Sequence, residues 1–370
     1  PQAGGDLADL RRFINIDNEE AWRLLVAWLV AALRPTGPYP VLVLQGEQGS
    51  AKSTAAKVLR ALVDPNTAPL RTTPREERDL AVAANNSWVL SFDNLSSVPL
   101  WLSDALCRVA TGGGFATRTL YENDEETIFE YTRPVILNGI DEVIYRHDLL
   151  DRSLIVTLPV IPDDQRKDEK TFWAAFKKAR PKILGALLDA VAAGLRNVDQ
   201  VQLDRLPRMA DFAKWVTAAE PALPWETGGF MEAYDSKRAE AVEQALEGDV
   251  VAVAVQSLLS GVESWTGSAT ELLEALGGYV PEQTQKTRAW PKTARTLSNR
   301  IRRAATFLRQ VGVEVEFYRE PGGNRKRLIR MNLNSSVPSV PSVPEPQESL
   351  MPCTFKGWDD GTALRDDEPF

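Results

Sequence analysis

At 370 residues, 44% hydrophobic and 25% charged, the chain has ordinary globular composition and length for two or three domains. A formal net charge of −8 excludes a protein that is polycationic throughout, so any nucleic-acid surface has to be local. Cys107 and Cys353 stand far apart without metal-ligand spacing, which argues against a disulfide framework and a zinc site and fits a reducing, cytoplasmic setting.

No signal peptide is visible. The best apolar run, Ala21 to Leu33, is interrupted by Arg23 and too short to span a membrane. The chain opens on Pro1 rather than an initiator methionine, so an N-terminal partner domain is expected. Residues 1–18 are polar and expected to be loosely ordered. Glu19 to Leu33 predicts a helix stopped by Pro35 and Pro38. Pro40 to Leu44 is wholly apolar, as in a parallel strand covered on both faces.

The next stretch, GEQGSAKST, comprises Gly46, Glu47, Gln48, Gly49, Ser50, Ala51, Lys52, Ser53 and Thr54, and runs into a helical segment, Ala55 to Leu62. A strand, a glycine-rich turn and Lys-Ser opening a helix is the context of a phosphate-binding loop, whose N–H groups cradle a polyphosphate at the positive helix end. In that context Lys52 reaches the β/γ-phosphates and Ser53 ligates Mg²⁺. Ala51 stands where glycine is usual and constrains the loop slightly.

A helix is expected around Glu76 to Asn85, then an apolar strand from Ser87 that ends on Asp93 and Asn94. A carboxylate ending a strand beside a phosphate loop holds the Mg²⁺ shell, the role Asp93 fits. Asn94, also a catalytic candidate, occupies the place of a general base; its amide accepts no proton but could position the water. Either turnover is slow or the base is remote. Leu100 to Thr111 predicts a helix, and Phe115 to Arg133 a β-hairpin with an acidic tip of Glu122, Asp124, Glu125 and Glu126. A third strand closes on Asn138, a short helix spans Glu142 to Leu150, and Leu154 to Leu158 is a fourth strand. This alternation predicts an α/β fold with a parallel sheet, in which Gly46, Asp93 and Asn138 meet past the carboxyl ends of the strands.

From Asp163 to Glu247 the periodicity is helical, with separate helices at Lys170 to Lys178, Pro181 to Leu195, Met209 to Ala218 and Gly228 to Leu246. Trp173, Phe176, Phe212, Trp215, Trp225 and Tyr234 are expected in the core. Three further helices, Val250 to Leu259, Ser268 to Leu276 and Thr293 to Val311, precede a hairpin over residues 313–331, an order that predicts a winged helix. Between Tyr279 and Leu333 thirteen Lys or Arg oppose four Glu, against the sign of the whole chain. Arg295, Arg300, Arg302, Arg303 and Arg309 on the third helix, with Arg325, Lys326, Arg327 and Arg330 on the hairpin, are the expected DNA-binding cations. Residues 335–370 are low-complexity and expected to be disordered. The expected boundaries are thus 1–39, 40–162, 163–247, 248–334 and 335–370.

Residues 40–160 resemble the ATPase core of superfamily 3 helicases, the AAA+ branch found in viral, phage and integrative-element replication proteins. The resemblance rests on the order and spacing of GEQGSAKST, the Walker B-like strand ending FDN, TGGG…TRTLY, VILNG and LLDRS. It implies an AAA+-type P-loop fold with ATP and Mg²⁺ as cofactors. Asn138 matches the sensor that contacts the γ-phosphate or its water. Arg152 matches an arginine finger reaching a neighbour's nucleotide, which implies a homo-oligomeric ring such as a hexamer. Arg118 and Tyr121 match the DNA-facing hairpin region, although the acidic tip suits phosphates poorly. The C-terminal winged helix, and a primase-type domain often carried N-terminally, resemble ATP-binding proteins of actinobacterial mobile elements. Three functions follow as expectations: a DNA helicase or replication-initiation ATPase, an ATP-switched DNA-binding regulator or loader without unwinding, and, most distant, a nucleotide kinase.

Overall fold

Leu7, Leu10 and Phe13 recur at i, i+3 and i+6, and the fold uses them. The computed structural model describes residues 1–112, 115–118, 126–129, 131–139, 146–287, 289–320 and 326–334. In it Leu7–Phe13 forms a 3₁₀ helix capped by Asp6, with all three apolar side chains buried. The expectation that residues 1–18 are loose is therefore overturned: a polar average hides a one-sided apolar stripe.

Helix α1 (Glu19–Ala32) is capped by Asn18, whose side chain accepts from the Ala21 N–H at 2.8 Å. Strand β1 (Val41–Gln45) is buried along its length, and α2 (Lys52–Val63), α3 (Glu77–Asn86), β2 (Leu90–Leu95) and α4 (Leu100–Thr111) follow. Strands β3 (Phe115–Arg118) and β4 (Glu126–Phe129) pair antiparallel as the expected hairpin. Then come β5 (Val135–Gly139), α5 (His147–Leu150) and β6 (Ser153–Thr157). Strands β2, β5, β1 and β6, in that spatial order, form one wholly parallel sheet.

Strand periodicity sorts the two faces. Val41, Val43, Phe92, Val135 and Leu137 enter one apolar core with α3 and α4. Leu42, Leu44, Ile136, Leu154 and Val156 enter a second core with α1 and α2. Helices α6 (Glu169–Asn197), α7 (Ala210–Ala219) and α8 (Gly229–Glu247) join α1 in the second layer. The segments 1–39 and 163–247, distant in sequence, thus pack together.

Helix α6 corrects the expectation of two helices broken at Pro181: it is one helix of 29 residues with Pro181 inside. A mid-helix proline removes a hydrogen bond and costs about 3 kcal/mol, which burial of Phe176, Ile183, Ala186 and Leu187 along the same helix offsets. The Pro181 carbonyl also accepts from the Gln2 N–H at 2.7 Å. A Cβ on Gly185 would lie 1.9 Å from the Gln2 carbonyl, so glycine there lets the N-terminal segment lie against the helix.

The C-terminal part contains α9 (Val250–Gly261), β7 (Ser264–Gly267), α10 (Ala269–Gly277), α11 (Glu282–Lys286), α12 (Ala294–Gln310), β8 (Val313–Arg319) and β9 (Arg327–Leu333). Helix α10 opens with a Ser268/Glu271 capping box. Strands β7, β9 and β8 form an antiparallel sheet in that order. Strand β7 carries no apolar alternation and is found only through its pairing with β9. Side chains of α9, α10 and α12 belong to the same apolar core as the α3/α4 face of the parallel sheet, and α12 touches both α5 and α8.

Among the described residues no helix is long and apolar enough to cross a membrane. The expected tail 335–370, Tyr121, the tip residues Glu122, Asp124 and Glu125, and Arg325 lie outside the described residues, as does the expected helix before residue 146.

Candidate functional site

The loop 46–54 leaves β1 and enters α2 through three left-handed backbone positions: Gly46 (φ 141°), Gly49 (φ 90°) and Ala51 (φ 63°). A Cβ on Gly46 would sit 2.4 Å from the Leu158 carbonyl, so only glycine permits this turn. Ala51 adopts the conformation for which glycine is favoured. Ala51→Gly should raise unfolding free energy by up to about 1 kcal/mol, read from the urea midpoint at unchanged m-value.

Lys52 opens α2, and its ammonium donates to the Gly46 carbonyl, to the Glu47 carbonyl at 2.7 Å and to Ser50 Oγ at 3.3 Å. One residue on, Ser53 Oγ donates to Asp93 at 2.9 and 3.2 Å. Asn138 Nδ2 donates to Ser53 Oγ at 3.1 Å and also to Asp93 Oδ1. This meeting has a topological cause: β5, which carries Asn138, lies between β1 and β2, so the ends of all three strands converge. The expected set of Lys52, Ser53, Asp93 and Asn138 is therefore assembled, with Asn138 only 2% exposed. Among the described residues no three His, Cys, Asp or Glu side chains gather to hold a metal by themselves. One hydroxyl and one carboxylate match a hard cation that arrives with phosphate oxygens.

Asn94 departs from the set. It occupies an irregularity where the β2–β5 register shifts, with φ 58°, and its side chain points into solvent. Asparagine is among the few non-glycine residues that adopt this conformation readily. A backbone requirement thus accounts for the amide where a carboxylate base was sought. Asn94→Glu should lose about 1 kcal/mol of stability relative to Asn94→Gly in paired urea titrations.

Arg152 lies elsewhere in the chain. Its carbonyl accepts from the Val41 N–H at 2.9 Å, which places it at the amino-terminal end of the sheet. Five strand residues, roughly 16 Å, separate that end from the loop. Its guanidinium donates to the Asp148 carbonyl at 2.7 Å. The adjacent Asp151 pairs with Arg238 at 2.6 Å instead.

Three contacts escaped the sequence. Asn15 Nδ2 donates to the carbonyls of Ser50, at 3.3 Å, and Pro159. The segment after β6 lies along the loop, with the Leu158 N–H on Gln45 at 2.9 Å and the Ile161 N–H on Gly49 at 3.3 Å. The Arg166 guanidinium, paired with Asp163 at 2.9 Å, lies beside Gly49. Side chain meeting backbone carbonyl leaves no recognisable spacing; only the unexplained polarity of Asn15 beside Ile14 and Ile16 hints at it.

On α12, Leu297, Ile301, Ala304, Ala305 and Leu308 are buried, while Arg295, Arg302, Arg303 and Arg309 are exposed. Arg295, Asn299, Arg302, Thr306 and Arg309 recur at helical spacing and form one outward stripe. Arg302 stacks on Phe317 at 4.0 Å. Arg300, also among the expected DNA-binding cations, donates to Asp249 at 3.0 and 3.2 Å and to the Ala289 carbonyl, tying α12 to the start of α9. Lys326 and Arg327 are exposed. Arg118 lies on β3 opposite Glu126.

A family model described as actinomycete integrative conjugative element replication protein matches residues 7–240. A second, described as the RepA C-terminal domain of those elements, matches residues 251–345, beginning one residue inside α9. No curated protein matches the chain. Among solved structures, the chain is similar to the apo NrS-1 C-terminal region at 13% identity and TM-score 0.42, covering 89% of this chain and 75% of that one. It is also similar to a full-length MCM homolog from Methanopyrus kandleri at 14% identity and TM-score 0.38, covering 67% and 63% respectively.

Proposed function

The chain belongs to the actinomycete integrative conjugative element replication proteins, and on that premise we propose that residues 40–162 hydrolyse ATP to drive a helicase or replication-initiation step on DNA. The observation that carries this reading is the hydrogen-bonded set of Ser53, Asp93 and Asn138 beside Lys52. The loop N–H groups and the α2 terminus bind the polyphosphate. Lys52 exchanges the Gly46 and Glu47 carbonyls for phosphate oxygens. Ser53 and Asp93 would hold Mg²⁺, which neutralises charge on the transferring phosphoryl group. Asn138, fixed by two partners, orients the attacking water. Arg166 adds a second cation beside the loop.

Arg152 then acts across an interface, on the nucleotide of a second copy, and the working form is a homo-oligomeric ring. We read 248–334 as a winged helix, because its elements run helix, strand, three helices, strand, strand with α12 presenting the basic stripe. Arg295→Ala with Arg302→Ala should weaken duplex binding and flatten the log–log salt dependence by about 1.8, two phosphate contacts' worth. Arg300→Ala should instead cost about 1–2 kcal/mol of stability and leave that slope unchanged. A flat slope for Arg300→Ala and an unchanged one for the double variant would reverse the assignment.

A second reading, an ATP-switched loader without unwinding, is favoured by Asn94, since no carboxylate base occupies that position. Strand displacement on a forked duplex separates the two. ATP-driven displacement supports the motor; hydrolysis and assembly without displacement support the loader.

A further inference from the structure

Residues 167–182 contain six Lys or Arg against two acids, in a chain of net charge −8, and neither the nucleotide site nor α12 accounts for that excess. On α6, Lys170, Trp173, Lys177 and Arg180 recur at intervals of three and four and so share one face. Across from them α2 presents Lys57, one helical turn beyond Ser53. Between the helices lies a cavity of about 380 Å³ lined by Lys57, Arg60, Asn66, Pro69, Trp173 and Arg180.

The cleft is built rather than incidental. Arg60 is fully buried and held by Asp64 at 3.2 Å and by the Pro69 carbonyl at 2.9 Å, so the floor is rigid and neutralised. Trp173 is fixed edge-on against Phe172 and Phe176, and its indole N–H donates to Glu169 at 3.2 Å. Among the described residues no carboxylate pairs with Lys57, Lys170, Lys177 or Arg180. Unpaired cations spaced along a helix, with a rigid indole among them, are the combination that tracks phosphates while stacking a base.

We propose that the cleft between α2 and the N-terminal half of α6 binds single-stranded nucleic acid, with one base against Trp173 and the backbone along Lys57, Lys177 and Arg180. A duplex is too wide for a cavity of this volume and keeps its base faces stacked inside. An acidic peptide would use the cations but leave the indole without a planar partner. This site is separate from the duplex-reading stripe of α12 and does not rest on ATP hydrolysis.

The test uses the full chain and a fluorescent oligothymidylate of about 20 nucleotides, followed by anisotropy across a salt series. Lys177→Glu with Arg180→Glu should lower single-strand affinity at least about tenfold and flatten the salt slope by about 1.4, while duplex affinity stays unchanged. A 5-iododeoxyuridine oligonucleotide should photocrosslink to Trp173, read by peptide mass spectrometry on the unsubstituted protein, which needs no tolerance of substitution in the aromatic cluster. Unchanged single-strand affinity and slope would overturn the proposal. So would crosslinks confined to other residues, or displacement of the oligonucleotide by polyglutamate at lower charge concentration than by unlabelled oligothymidylate.

Discussion

Lys52→Ala should abolish DNA-stimulated ATP hydrolysis, with turnover falling by about 10²–10³-fold or more. The ammonium is the one cation that projects from the loop itself, and it lies among the Gly46 and Glu47 carbonyls. Its loss removes stabilisation of charge that develops on the β/γ-phosphate oxygens, which neighbouring N–H groups supply only as partial charges. The same substitution should change stability by no more than about 1–2 kcal/mol, because water replaces the donor at the exposed Glu47 carbonyl while the part-buried Gly46 carbonyl loses a partner. The pairing of at most a small shift in urea midpoint with lost turnover is thus the expected signature. Retained hydrolysis in a purified, folded variant would remove the nucleotide assignment, and with it the roles given to Ser53, Asp93 and Asn138.

Arg152→Ala should be nearly as damaging, by about 10³-fold in turnover, yet for a reason that lies outside its own subunit. Within one chain Arg152 and Lys52 stand at opposite ends of the sheet, so an active centre that used both would have to draw them from two copies. Mixing the two inactive variants in equal amounts should then restore activity. An interface joining an intact Lys52 to an intact Arg152 forms at about a quarter of positions in a random ring, so recovery should approach about a quarter of the normal rate. No recovery, with mixed assembly verified by affinity-tag co-purification, would return Arg152 to a local structural role beside Asp148.

The features legible in the sequence share a physical origin. Strand ends are marked by apolar runs, and chemistry placed just after them converges because a parallel sheet aligns its carboxyl ends. Gly46–Thr54, Asp93 and Asn138 are therefore marked in the sequence, and the contacts of Ser53 with Asp93 and Asn138 at 2.9–3.2 Å follow. Helical periodicity likewise placed α12 and its buried face.

What was illegible depended on partners far away in sequence. Arg300 and Arg302 look alike on a helix; only Asp249, at the start of α9, distinguishes the anchored one from the exposed one. Trp173 packs against the apolar core as expected, but that it also lines the cleft beside Arg180 has no signal in the sequence. Pro181 read as a break, because local rules carry no account of the apolar surface that α6 buries on either side of it. The left-handed backbone of Asn94, with φ of 58°, was likewise invisible, and it gives a conformational reason for the amide at the place of the base.

The apolar core shared by the parallel sheet, α5, α8, α9 and α12 has a consequence for how this protein can change. A reading head on a flexible tether can be exchanged between relatives like a bead on a string. Here excision of residues 249–334 would strip apolar cover from the remaining body. If α12 reads DNA as proposed, a new target preference is therefore more accessible through point substitution along Arg295, Asn299, Arg302 and Thr306 than through module shuffling. The same continuity leaves α12 no hinge of its own: a displacement of the parallel sheet would be carried to anything held on the α12 stripe.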